Sequence, residues 1–165
     1  MPSLIIDGYN LIGVHHKNLE SERNRLVELL IEYRKRKGHY LVVVFDGWKT
    51  GGGTETSSLR GGVKIIYSRL GEKADSVIKR ILSTKEQEWI VVSSDREIAS
   101  HAWSLGSTPL SSKEFAPFLT ASMQGEREEG WMKDEEGEEE RLSRSGNPNR
   151  LSRRERAVKR ALGKL

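Results

Sequence analysis

Residues 40–47 read YLVVVFDG, an unbroken run of β-branched, aliphatic and aromatic side chains closed by aspartate and glycine. Apolar on successive positions rather than alternate ones, such a run suits a strand covered on both faces, as in a parallel sheet, with the turn starting at Asp46-Gly47. Leu4-Ile5-Ile6, closed by Asp7-Gly8, repeats the pattern in shorter form. Gly8 is expected to permit a tight turn after the first strand.

Working outward, the charged segment between these strands, Asn18 to Lys37, places Leu26, Leu29, Leu30 and Tyr33 at helical spacing and meets Gly38 as a stop. Val63 to Tyr67 (VKIIY) and Trp89 to Val92 (WIVV) read as two further strands. The stretch Lys73 to Leu82 between them repeats Ala74, Val77, Ile78, Ile81 and Leu82, the pattern of a connecting helix. Asp95 opens another helical pattern through Ile98, Ala99, Ala102 and Trp103, ended by Gly106. Thr108-Pro109-Leu110 is expected as a brief fifth strand, and Ser111 to Glu114 resembles a capping box for a last helix. Strands alternating with helices at this spacing predict an α/β fold, a mostly parallel sheet covered on both faces, with ligands bound beyond the carboxyl ends of the strands. Lys49 to Gly62 (KTGGGTETSSLRGG), rich in glycine and nearly devoid of apolar residues, reads as a mobile surface loop able to close over substrate.

The 165 residues suffice for one well-filled core and an appendage. The chain has no cysteine, which excludes disulfides, thiolate-held metals and thiol nucleophiles. MPSLIID at the start is unlike a secretory signal, and no run approaches a membrane span, so a soluble cytoplasmic protein with no membrane partner is expected. The net charge of +4 conceals a segregation. Residues 1–125 sum to +3, residues 126–140 (EREEGWMKDEEGEEE) to −7 and residues 141–165 to +8. The acidic stretch is too poor in apolar residues to form a core and reads as a solvated linker. In the basic end, Val158, Ala161, Leu162 and Leu165 fall on one helical face, leaving Arg150, Arg153, Arg154, Lys159 and Arg160 as candidate contacts to nucleic acid. The expected organisation is a folded body over 1–122, an acidic linker over 123–140 and a basic amphipathic helical tail over 141–165.

Carboxylates are the side chains with the clearest chemical potential. Asp7 and Asp46 close apolar strands, Asp95 follows VVSS before a helix, and Asp75, with Glu72 just ahead of it, lies in the first turn of another. Each has an ordinary structural use, as a turn residue, an N-cap or a partner of the helix dipole. Four acids at matching ends of successive strand–helix units are less easily explained so. Hard oxygen donors brought together from distant segments suit a divalent cation such as Mg²⁺ or Mn²⁺, which activates water and neutralises charge on a phosphate. Asn10 would orient a bound water or touch phosphate. His15-His16 beside Lys17 reads as exposed surface, and the GGG lacks the lysine of a phosphate-binding loop.

Taken in order, LIIDGYNLIG (4–13), VVVFDG (42–47), GVKIIYSRLGEKADSVIKRI (62–81) and VVSSDREIA (91–99) resemble the YacP-like branch of the NYN domain family, which is similar to PIN-domain nucleases. The resemblance runs from Met1 to about Leu119. It implies a PIN-like three-layer sandwich and a metal-dependent endoribonuclease with a role in RNA turnover, in some relatives on the ribosome. It also implies Asp7, Asp75 and Asp95 as metal-binding acids, with Asn10, Glu72, Ser76 and Ser94 in support and Asp46 in second rank. The competing expectation is a non-catalytic RNA- or ribosome-binding module in which the acids serve as caps and turns.

Overall fold

The computed structural model describes residues 2–13, 17–47, 52–84, 87–121 and 151–165. Six strands form one sheet: β1 Ser3–Asp7, β2 Tyr40–Phe45, β3 Thr56–Arg60, β4 Val63–Tyr67, β5 Trp89–Val92 and β6 Thr108–Leu110, in the order β3-β4-β2-β1-β5-β6. All neighbours pair parallel except β3 with β4. Strand order reverses between β1 and β5, so the carboxyl ends of these two strands flank the topological switch point.

The helices are α1 Gly8–Ile12, α2 Leu19–Lys37, α3 Ala74–Ser83, α4 Arg96–Ser104, α5 Ser112–Thr120 and α6 Arg153–Leu162. Because successive strand residues face opposite ways, the apolar runs feed two cores. Leu4, Ile6, Leu41, Val43, Phe45, Ile65 and Val92 face Leu26, Leu30, Tyr33 and Phe115 of α2 and α5. Ile5, Val42, Val44, Ile66 and Val91 face Val77, Ile78 and Leu82 of α3 and Ile98 and Ala102 of α4. Helices on both faces make the three-layer sandwich expected from the run pattern.

Local signals fix several helix ends. Asn18 accepts from the Ser21 amide at the start of α2, and Gly38, left-handed at φ 72, ends it. Ser111 and Glu114 form the capping box foreseen at α5. The 49–62 stretch is where the expectation fails: its second half is β3, an exposed edge strand joined to β4 by Gly61-Gly62, both with positive φ. Two glycines of that conformation make the tight turn a hairpin needs, and a polar strand at a sheet edge has no apolar pattern to announce it. Residues 49–51, the start of the proposed closing loop, lie outside the described residues, as do His15 and His16.

At the other end of the chain Ala157, Ala161 and Leu165 are buried, Ala161 and Leu165 within the same core as α2 and α5, and α6 packs beside β6. The acidic stretch 126–140, Arg150 and the expected boundaries at 122 and 140 lie outside the described residues.

Candidate active site

β1 delivers Asp7 to the carboxyl edge of the sheet at the switch point, half-buried and with its carboxyl inside the protein. The Ser93 hydroxyl, itself buried at the end of β5, donates to Asp7 Oδ2 at 3.1 Å. Burial pushes the Asp7 carboxyl up to about 7; the negative charges of Asp46 and Asp95 add to the rise, and the Ser93 hydrogen bond opposes it. Among the described residues Asp7 therefore has no counter-charge, in a place crowded with like charge.

Gly8 follows with no unusual φ. What the position requires is space: a Cβ there would lie 2.2 Å from the Phe45 ring. The expected tight turn is thus the first turn of α1, pressed against a fully buried aromatic. Gly47 answers the same demand after β2, since a Cβ would fall 1.6 Å from the Ser68 carbonyl oxygen.

Asp46 does more than begin a turn. Its Oδ1 accepts from the Ala74 amide and so caps α3, whose own N-cap Lys73 offers no side-chain bond. The Ser68 hydroxyl accepts from the Gly47 amide at 2.9 Å and donates to the Glu72 carbonyl. Together these contacts tie the start of α3 to the ends of β2 and β4. Asp75, in that first turn, directs Oδ2 to Lys79 Nζ at 3.2 Å, while its Oδ1 is buried without a hydrogen-bond partner. Lys79 also reaches Glu97 of α4 at 3.4 Å. The Glu72 carboxylate pairs with Arg80 at 2.7 Å and, more distantly, with Arg69, and Ser76 is exposed.

Asp95 is exposed and performs the capping role that its position suggested: Oδ1 accepts from the Glu97 and Ile98 amides at 2.8 and 3.2 Å. Asn10 Oδ1 accepts from the Ser94 amide at 2.8 Å and the Ser112 hydroxyl at 2.7 Å, and Ser94 Oγ accepts from the Ser112 amide. This network joins the turns after β1, β5 and β6 around Asp7.

The electrostatic group about Asp7 thus comprises Asp46 and Asp95, whereas Asp75 is engaged by Lys79 through one oxygen and leaves the other without a partner. Ser93, Ser112 and Ser68 were not singled out from the sequence, although Ser93 lies inside the quoted VVSSDREIA; nothing in a linear string shows which of two adjacent serines turns inward. Among the described residues no three His, Asp or Glu side chains are grouped closely enough to hold a metal ion as they stand. The donors nonetheless fit a divalent cation in kind: they are hard carboxylate oxygens, Asp7 is burdened by like charge, and Asp75 Oδ1 is buried and unpartnered.

The basic residues of α6 are elsewhere. Arg160 lines an open cavity of about 880 Å³ with Ser3, Trp89 and Thr108, at the amino ends of the strands. Arg153, Arg154 and Lys159 are exposed on the same helix.

A three-layer sandwich of this strand order, with acids over the switch point, defines the PIN-like class of α/β domains. The chain belongs to the YacP-like NYN domain family, which matches residues 4–159. It is 30% identical over 88 residues to a Bacillus subtilis (strain 168) protein described as "Uncharacterized protein YacP", a match covering 49% of this chain and 51% of that one. The chain thus spans about half the length of this relative. The crystal structure of Rae1 (YacP) from Bacillus subtilis superposes with a TM-score of 0.61 at 22% identity, covering 75% of this chain and 76% of that one. A mutant of the same protein gives the same score over 78% of its chain. At this identity the likeness concerns the fold. No helix among the described residues is long and apolar enough to cross a membrane.

Proposed function

We propose that this protein is a divalent-metal-dependent endoribonuclease that hydrolyses RNA phosphodiester bonds in RNA turnover in the cytoplasm. NYN domains are typically nucleases, and the finer reading rests on the site. The single observation that carries it is Asp7: a carboxyl held inside the protein, raised by burial and by Asp46 and Asp95, at the switch point where this architecture binds ligands. A structural turn residue has no reason to bear that burden; a ligand for a cation does.

Asp7, Asp75 and Asp95 are the residues we assign to hold Mg²⁺ or Mn²⁺, with Asp46 beside them. When bound, such an ion supplies an activated water and neutralises charge on the phosphate. The chain itself contributes position. Ser93 orients Asp7, Asp46 fixes the start of α3 and so the place of Asp75, and Asn10 with Ser94 and Ser112 holds the three loops together. Glu72 and Ser76 flank Asp75 as supporting groups. The cations of α6, at the opposite edge of the sheet from the acids, are assigned to RNA or ribosomal RNA, and Arg150 is assigned with them from the sequence alone.

The capping bonds of Asp46 and Asp95 and the Asp75–Lys79 pair favour one other reading, an RNA-binding module without catalysis. Incubating labelled single-stranded and structured RNA with the wild-type chain, Asp7→Asn and Asp95→Asn in Mn²⁺ separates the two. Asparagine caps a helix as well as aspartate, so Asp95→Asn removes charge and preserves the fold. The nuclease reading expects cleavage to drop by about 100-fold or more in both variants, on the order of 3 kcal/mol of barrier. Equal cleavage by all three would remove the acids from the chemistry.

A further inference from the structure

Arg23, in the first half of α2, carries a charge that its surroundings do not answer. Its Nε is buried and makes no hydrogen bond. Its Nη1 lies 3.5 Å from the Tyr9 hydroxyl, the outer limit of a hydrogen bond. Its Cζ sits 5.4 Å from the centroid of the Tyr67 ring, a cation–π contact. Arg60, Arg69 and Arg80 are each paired with a glutamate, but among the described residues no carboxylate stands within ion-pairing distance of Arg23.

The rings that hold it belong to the carboxyl edge of the sheet. Tyr9 lies two residues beyond Asp7 and meets the Phe45 ring edge-on at 5.1 Å; Phe45, next to Asp46, stacks on Tyr67 at 5.6 Å. This aromatic wall runs along the ends of β1, β2 and β4, with Arg23 over its outer part. A half-buried guanidinium with unspent donors is costly unless an anion completes it. Its fork of N–H groups matches a phosphate, and the rings hold the fork in place without neutralising it.

We infer that Arg23 binds a backbone phosphate of the RNA strand next to the one lying over the acids, extending the substrate path from β1 across the ends of β2 and β4. The inference rests on the reading of the protein as an enzyme acting on RNA. It makes Arg23 a substrate-binding residue, and a contact to phosphate leaves a mark that a purely structural side chain does not: one fewer counterion released on binding.

The test is fluorescence anisotropy of a labelled single-stranded RNA of mixed sequence with the full chain in EDTA, titrated at several salt concentrations. Arg23→Ala should weaken binding by about tenfold and lower the slope of log affinity against log salt by about 1. Arg23→Lys should retain the slope and part of the affinity, since it keeps the charge without the fork. Lys35→Ala, which removes an exposed amine paired with Glu32 near the far end of α2, should stay within about twofold. Should Arg23→Ala fail to fold by thermal unfolding, Arg23→Met keeps the aliphatic stem against Tyr67 and takes its place. Wild-type affinity and slope in the folded Arg23 variant would overturn the inference alone. Absence of RNA binding by the wild-type chain would instead overturn the RNA reading on which it stands.

Discussion

The state of the Asp7 carboxyl sets what the protein loses and gains with pH. Its value in the folded protein, about 7, stands above the ordinary aspartate value of 3.8, so the folded state holds the proton more tightly than the unfolded chain. Stability from this group is therefore present below about pH 4, falls as pH rises toward 7 and is constant above. The whole difference is at most about 4 kcal/mol, and solvent reaching the half-buried residue reduces it. Asp7→Asn, which cannot ionise, should melt at a higher temperature than wild type at pH 8 and near the same temperature at pH 4; a lower melting temperature at pH 8 would contradict the account. For the same reason a cation at Asp7 competes with a proton. Apparent Mn²⁺ affinity should rise by up to about tenfold per pH unit from 6 to 7 and then level off, measured by titration calorimetry. Gly8→Ala is a different kind of perturbation, because its Cβ must displace the buried Phe45 ring. It should cost about 1–3 kcal/mol in denaturant unfolding and disturb Asp7 with it.

At the scale of elements, the strands that bury both faces were legible because parallel pairing leaves no solvent face and so no polar alternation, as in YLVVVF and WIVV. Helix ends were legible where a cap is chemical, at Asn18, Gly38 and Ser111. β3 was not, because Thr56–Arg60 is exposed throughout and its evidence is a pairing partner rather than a pattern. The α6 stripe was visible as Val158, Ala161, Leu162 and Leu165, but that its small residues seat it in the core beside β6 depends on a surface assembled from elsewhere in the chain. Ala161→Asp places a charge in that contact. It should lower stability by roughly 2–4 kcal/mol and speed tryptic cutting at Arg153 to Arg156; an unchanged cutting rate would mean that α6 is not held there.

Across the whole molecule, acids gather at one edge of the sheet and the α6 cations stand at the other. β1 itself spans roughly 16 Å, so RNA touching both must pass around the body rather than lie on one patch. The acids were legible in the sequence as four candidates at strand and helix ends; the direction in which each carboxylate turns was not. Asp46 is one of the two carboxylates acting on Asp7 and Asp75 is turned to Lys79, because orientation is set by neighbours such as Ala74 and Lys79 that no spacing rule identifies. The central claim is that these acids form a cation site, and Mn²⁺ binding followed by electron paramagnetic resonance at pH 8 addresses it without reference to any substrate. Saturable binding to the wild-type chain that is weakened at least about tenfold in Asp7→Asn is the result the account predicts. Binding of equal strength in the two proteins, or none to the wild type, would contradict it.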